Sequence, residues 1–149
     1  MSTRVYLDAN VFISAFETIG ARSDHAWWVL NAIDDGEMIG ITSELTLAEI
    51  LVGPMQAGDD ELALRYQSMI SQGEGFEVAV VSRGILIEAA MLRTMRRSLK
   101  LPDAIHIASA RLGDCQFVLS DDRRLSFAPG VQLVQLGPHS LDVIRSVHQ

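Results

Sequence analysis

The sequence predicts an α/β domain in which helices cover both faces of a central, mainly parallel sheet of about five strands. Three observations support this fold class. The 149 residues are 48% apolar, which is enough to build the hydrophobic core of one domain over residues 1–149. Short apolar runs alternate with helical patterns along the chain. The runs are almost wholly apolar, as strands buried on both faces are.

Five short apolar runs are predicted as strands. They cover residues 4–8, 38–41, 76–81, 116–119 and 131–136. The first run ends at Asp8, and the fourth ends just before the pair Asp121 and Asp122. Because parallel strands end at one edge of a sheet, where ligands collect, these acids can share that edge.

Helices are predicted between the strands from apolar periodicity and from capping signals. They cover residues 11–16, 23–34, 43–53, 59–70, 82–99, 103–112, 123–127 and 141–147. Ser23 and Ser43 are predicted N-caps, and Ser82 begins the long helix. Gly53-Pro54 is a predicted helix stop, and Pro102 suits a first turn.

Charge and cysteine content restrict the function classes. Twelve basic against 19 acidic residues give a net charge of −7, which argues against a nonspecific phosphate-binding coat. The single Cys115 forms no internal disulfide and indicates a reducing, cytoplasmic compartment. No signal peptide or membrane span is predicted, so we expect no membrane partner.

The acids at the element starts have simple structural interpretations. Asp8, Asp121 and Asp122 follow strands and are suited to cap the next helix. Asp103 lies in the first turn of a helix, where the helix dipole favours a negative charge. Glu49 is surrounded by apolar residues and is predicted to be at least partly buried.

A capping box offers an alternative for Glu49, because Thr46 and Glu49 have the Thr-x-x-Glu spacing. The apolar run begins before Thr46, which weakens that alternative. These interpretations do not explain why four separate sites offer acids with no equal supply of adjacent bases. If the acids converge, their repulsion raises their proton affinity or requires a cation. Oxygen ligands of this kind suit Mg²⁺ or Mn²⁺, which can activate a water for attack on phosphorus.

Four segments in order resemble the motifs of PIN-domain ribonucleases, and among them the VapC-like toxins of type II toxin–antitoxin modules. The segments are 5–13, 43–54, 101–110 and 118–125. They contain Asp8, Glu49, Asp103 and the pair Asp121-Asp122 respectively. Each match is weak by itself, but four in sequence form a specific pattern that spans most of the chain.

The resemblance implies a PIN-like three-layer α/β/α sandwich and a Mg²⁺- or Mn²⁺-dependent endoribonuclease that hydrolyses RNA phosphodiester bonds through a metal-activated water. It implies Asp8, Glu49, Asp103 and an acid of the fourth motif as catalytic metal ligands. Asn10 and Ser120 would support them by hydrogen bonds. The family motif Thr-x-Asp aligns Ser120 with the Thr and Asp122 with the acid. Asp121 falls on the variable position, and the choice between the two acids stays open.

The resemblance also implies an RNA substrate, a cognate antitoxin protein and a homodimer. Two other functions compete with it. A haloacid-dehalogenase-type phosphatase needs an Asp where this chain has Asn10, and it leaves Glu49 and Asp103 without a role. A catalytically inactive PIN-like module for RNA or protein binding leaves a repulsive acid cluster unused.

Several residues near the motifs have open roles. Arg93, Arg96, Arg97 and Lys100 are predicted to form a helical stripe, which is either a solvated face or a contact to the RNA backbone. Arg123 and Arg124 are similarly undecided. His106, one turn after Asp103, is interpreted as a packing or supporting residue.

Overall fold

The computed structural model describes residues 2–71 and 75–148, and it contains a five-stranded parallel sheet between two layers of helices. The predicted fold class is confirmed. The strands are β1 (Arg4–Leu7), β2 (Ile39–Ser43), β3 (Phe76–Ala79), β4 (Phe117–Ser120) and β5 (Gln132–Gln135). The helices are α1 (Ala9–Glu17), α2 (Ala21–Asp34), α3 (Glu44–Ala57), α4 (Asp60–Met69), α5 (Arg83–Met95), α6 (Leu101–Leu112) and α7 (Ser140–Arg145), with 3₁₀ turns at Arg123–Ser126 and Ser146–His148.

The strand order places the first strand at the centre of the sheet. The order is β3-β2-β1-β4-β5, and every neighbouring pair is parallel. The chain moves outward from β1 in one direction, then returns to add β4 and β5 on the other side. The strand order therefore reverses between β1 and β4, and the ends of these two strands flank the crevice in which such sheets bind ligands.

Side chains of β1 alternate between two hydrophobic cores. Val5 and Leu7 belong to a core built with α1 and α2, and Tyr6 belongs to a second core built with α5 and α6. This alternation follows from the two-residue period of a strand. Helix layers on both faces thus hold β1 rigidly at the centre of the molecule. Within the described residues, no helix combines the length and the apolar character that a membrane crossing requires.

The predicted start of α2 and the predicted end of α3 are wrong. Helix α2 begins at Ala21 with Gly20 as N-cap, and the Ser23 hydroxyl donates instead to the carbonyl of Ala15 at 3.1 Å. Helix α3 continues through Pro54 and ends before Gly58, whose φ of +69° is accessible to glycine without strain. The predicted caps Ser43 and Ser82 are confirmed, since each hydroxyl accepts a backbone N–H of its helix.

The predicted arginine and lysine stripe is also wrong. Helix α5 ends at Met95, and Arg96 has extended backbone angles, so the segment from Arg96 to Lys100 lies outside the helix. The Arg96 guanidinium lies 5.0 Å from the centre of the Phe127 ring, which is cation–π geometry. The segment is therefore folded against the turn that follows β4.

Candidate metal centre

Asp8 lies at the carboxyl end of β1 and is buried, with 6% of its surface exposed. It occupies the N-cap position of α1, but its side chain makes no capping hydrogen bond. Its Oδ2 instead accepts hydrogen bonds from the Ser120 hydroxyl at 2.7 Å and from the Asn10 amide at 3.3 Å. The simple capping interpretation therefore does not account for the Asp8 carboxylate, which faces the crevice between β1 and β4.

Ser120 joins the two strand ends through one hydroxyl group. It is the last residue of β4 and is fully buried. Its Oγ donates to Asp8 and accepts the backbone N–H of Asp122 at 2.8 Å. The segment after β4 is thereby held against the segment after β1.

The two acids after β4 have different partners. Asp122 caps the 3₁₀ turn by accepting the Arg124 backbone N–H at 2.9 Å, and both of its oxygens accept the Arg124 guanidinium. These Arg124 side-chain hydrogen bonds lower the pKa of Asp122. Asp121 forms an ion pair with Arg22 on the other side of the turn. Of these two acids, Asp122 is therefore the one whose partner, Arg124, also lies near Asp103.

Asp103 lies in the first turn of α6, as predicted, and its side chain is 14% exposed. Burial raises the pKa of Asp103, and the carboxylates of Asp122 and Asp8 raise it further, whereas Arg124 and His106 oppose these effects. The Arg124 Nε lies 4.0 Å from an Asp103 oxygen. Asp8, Asp103 and Asp122 therefore interact electrostatically, although they come from three separate parts of the chain.

Glu49 is more exposed than the apolar residues that flank it in the sequence led us to expect. Its side chain is 36% exposed, and its Oε1 lies 2.5 Å from His106 Nε2. The capping-box alternative fails, because Ser43 is the N-cap of α3 and Thr46 is buried with its hydroxyl 2.8 Å from that of Thr42. The Glu49 carboxylate belongs to the acidic edge rather than to the helix start.

His106 is a site residue whose contacts the sequence did not reveal. It is 2% exposed, and its Nε2 faces Glu49 at 2.5 Å and Asp8 at 3.9 Å. The Tyr6 hydroxyl lies 2.6 Å from its Nδ1. The available signal was its spacing of three residues from Asp103, which places both side chains on one face of α6.

Ligand atoms of Asp8, Glu49 and His106 lie within 4.8 Å of one another, the one such trio of His, Cys, Asp or Glu among the described residues. Carboxylate oxygens suit Mg²⁺ and Mn²⁺, and an imidazole nitrogen is accepted by Mn²⁺ and other transition metals. Asp103 and Asp122 lie outside this trio, and both lie beside Arg124. The donor set fits a divalent cation.

An α/β fold with clustered acids at the switch between β1 and β4 defines a class of proteins that act on ligands at the carboxyl edge of the sheet. The PIN domain family model matches residues 5–130. The chain belongs to the PIN-domain family, which excludes the phosphatase alternative.

Solved structures with similar folds come from several bacteria. A toxin–antitoxin complex from Klebsiella pneumoniae has 24% sequence identity and a TM-score of 0.65, covering 87% of this chain and 95% of that one. VapBC2 from Rickettsia felis, bound to a promoter DNA fragment, has 14% identity and a TM-score of 0.69, covering 89% and 98%. VapC20 from Mycobacterium tuberculosis, a toxin that cleaves the sarcin–ricin loop, has 16% identity and a TM-score of 0.62, covering 76% and 86%. No curated protein sequence matches this chain significantly.

Proposed function

We propose that this protein is a divalent-metal-dependent endoribonuclease and the toxin of a toxin–antitoxin pair. The observation that carries the proposal is the approach of acids from separate parts of the chain at one edge of the sheet, where Asp8 lies beside Glu49 and His106. Asp103 and Asp122 lie beside Arg124 at the same edge. Acids remote in sequence gain no stability from mutual repulsion. Their convergence is explained by a cation that binds between them.

In this proposal the metal ligands are Asp8, Glu49, Asp103 and Asp122, bound directly or through water. A divalent ion held there supplies an activated water and neutralises charge on the leaving oxygen of the phosphodiester. Ser120 and Asn10 orient Asp8 through its Oδ2, which leaves Oδ1 free of these two bonds. Asp121 is engaged by Arg22, and we assign it a role in ordering the turn.

The substrate assignment rests on the charges around the site. Exposed basic side chains occur in the segment just before α6 and in the turn after β4, although the whole chain is acidic. They are Arg96, Arg97, Lys100 and Arg123. Local cations of this kind can hold the phosphates of a single RNA strand while the overall charge discourages nonspecific binding. The similar toxin from Mycobacterium tuberculosis cleaves the sarcin–ricin loop.

The antitoxin and the homodimer are proposed from likeness and from surface character. Several similar structures are complexes of a toxin with its antitoxin. Helix α5 exposes Ile87, Met91 and Met95 at a four-residue spacing, each more than half exposed. Such a stripe on one helix face is suited to a protein contact, and we assign it to the second copy of the chain.

The catalytic proposal is tested with Asp8→Asn, which keeps the size of the side chain but removes its charge. Wild-type protein should cleave single-stranded or structured RNA with Mg²⁺ or Mn²⁺ and lose activity in EDTA, and Asp8→Asn should be at least a hundredfold slower. Asp142→Asn is the matched control, because Asp142 is an exposed acid on α7, with its side chain 76% exposed. Equal cleavage by wild type and Asp8→Asn would contradict the catalytic role of Asp8, whereas no cleavage by the folded wild type with Mg²⁺ or Mn²⁺ would support the inactive binding module instead.

The toxin proposal needs a separate experiment. Co-expression with the protein encoded beside it should give a stable complex in which RNA cleavage is suppressed. A neighbouring protein that neither binds nor inhibits would contradict the toxin assignment and leave the nuclease assignment intact.

A further inference from the structure

A line of buried polar side chains leads from the core to the Glu49 carboxylate. Tyr6 is fully buried and His106 is 2% exposed. The Tyr6 hydroxyl lies 2.6 Å from His106 Nδ1, and His106 Nε2 lies 2.5 Å from Glu49 Oε1. Three side chains from β1, α6 and α3 thus form one hydrogen-bonded line that ends at the candidate metal centre.

We propose that Tyr6 and His106 are positioning residues that hold Glu49 towards Asp8 for metal binding. The inference rests on the proposed metal centre, and it assigns roles to two residues outside the predicted ligand set. Glu49 needs such support because its side chain is 36% exposed to solvent. A partly exposed Glu samples many rotamers unless a partner restrains it.

The hydrogen-bond directions follow from the chemistry of Glu49. A carboxylate oxygen accepts hydrogen bonds, so His106 Nε2, 2.5 Å from Glu49 Oε1, is the donor of that pair. The Nδ1 of a neutral imidazole is then an acceptor, and the Tyr6 hydroxyl, 2.6 Å away, donates its hydrogen to it.

This arrangement determines which nitrogen of the imidazole carries the proton. With Nδ1 accepting from Tyr6, a neutral His106 carries its hydrogen on Nε2 and donates it to Glu49. Metal-binding carboxylates are commonly oriented by such outer hydrogen bonds, and losing one typically weakens metal binding by about tenfold to a hundredfold. Tyr6 is two residues before Asp8, which directly follows β1, so this strand positions Asp8 directly and Glu49 through Tyr6 and His106.

A direct role for His106 as a metal ligand is the competing arrangement. A ligand nitrogen has its lone pair on Nε2 and its hydrogen on Nδ1, which is the opposite tautomer. The two roles differ in the metal complex, because a ligating Nε2 has lost its hydrogen, whereas a positioning Nε2 keeps it. Nitrogen NMR of the metal-free protein tests the hydrogen-bond directions, and ¹⁴N coupling to bound Mn²⁺ tests direct ligation.

The experiment compares wild type with Tyr6→Phe, His106→Gln and His106→Leu in two measurements. In metal-free protein, the His106 side chain should show the Nε2–H tautomer, and Tyr6→Phe should perturb the Nδ1 resonance. In Mn²⁺ titrations followed by EPR, His106→Leu should bind about tenfold to a hundredfold more weakly. His106→Gln, whose amide N–H can replace the donor, should recover most of the affinity. Ser109→Ala is the control for loss of a buried polar group on α6, and it should bind Mn²⁺ as wild type does.

Each alternative result has a distinct meaning. An Nδ1–H tautomer would overturn the positioning role, and ¹⁴N coupling to Mn²⁺ in wild type that is lost in both His106 variants would overturn it in favour of direct ligation. Normal Mn²⁺ affinity in His106→Leu would overturn this inference alone. No Mn²⁺ binding by the folded wild-type protein would overturn the proposed metal centre together with it.

Discussion

Replacing Ser120 with alanine tests whether one buried hydroxyl holds the two ends of the acidic site together. Ser120→Ala removes the donor to Asp8 Oδ2 at 2.7 Å and the acceptor of the Asp122 N–H at 2.8 Å. Both contacts are made by a fully buried side chain. The substitution deletes a single oxygen atom, so packing changes little.

The expected loss of stability comes from the two hydrogen bonds. A hydrogen bond to a charged group contributes about 1.5–3 kcal/mol, and leaving a buried donor unpaired costs about 1–3 kcal/mol. Since the Asp122 N–H is only partly buried, we expect a total of about 2–3 kcal/mol. For a chain of this length the midpoint of thermal unfolding should fall by roughly 5–10 °C.

Ser109→Ala is the matched control for this prediction. Ser109 is also buried, but its hydroxyl donates to the Ile105 carbonyl within α6 at 2.7 Å, away from the acids. A neutral hydrogen bond of this kind contributes about 0.5–1.5 kcal/mol. Urea unfolding and Mn²⁺ titration of both variants provide the assay, and Ser120→Ala should also lose roughly tenfold in Mn²⁺ affinity. Equal loss of stability in the two variants, with Mn²⁺ affinity unchanged in both, would refute the role of Ser120.

Three further predictions address charge and packing. Asp103→Asn should raise the melting temperature of the metal-free protein at neutral pH. Because the pKa of Asp103 is raised in the folded protein, its carboxyl group contributes full stability below its ordinary pKa, and this contribution is lost as pH rises through the raised pKa. A lower melting temperature of Asp103→Asn in EDTA would contradict this. Arg124→Ala should tighten Mn²⁺ binding several-fold in EPR titrations, because it frees Asp122 and Asp103 from a competing cation. Weaker binding by the variant would show that Arg124 helps to bind the ion instead. Gly40→Ala should lower the free energy of unfolding, measured in urea, by about 1–3 kcal/mol, because a Cβ at this position would lie 2.8 Å from Phe76 Cδ1. An unchanged midpoint of urea unfolding would be evidence against this close packing.

The strands are predictable from the sequence because a strand buried on both faces is apolar at nearly every position. Helix ends are less predictable, since they depend on competition between local signals. Gly53-Pro54 has the composition of a stop, yet α3 ends at Ala57, where Gly58 adopts the left-handed conformation. The segment after Met95 has helical spacing of its basic residues, yet Arg96 leaves the helix and contacts Phe127.

The location of the acids is predictable to the same extent as the strands. Asp8 and Asp122 follow β1 and β4, and the parallel order of these strands brings them to one edge. The pairing of Arg124 with Asp122 forms within one turn, between residues two positions apart. The pairing of His106 with Glu49 is not encoded in any local pattern, because it depends on how side chains of α6 and α3 meet. The sequence provides only a weak signal for it in the spacing of Asp103 and His106.

The central claim is that remote carboxylates gather in this protein to bind a divalent ion. A crystal soaked in Mn²⁺ and measured near the manganese absorption edge tests it directly through the anomalous difference map. We expect a peak in the crevice between β1 and β4, within bonding distance of Asp8 and at least one of Glu49, Asp103 and Asp122. A map from a fully soaked crystal with no peak at that edge, or with manganese bound at other surfaces, would contradict the account.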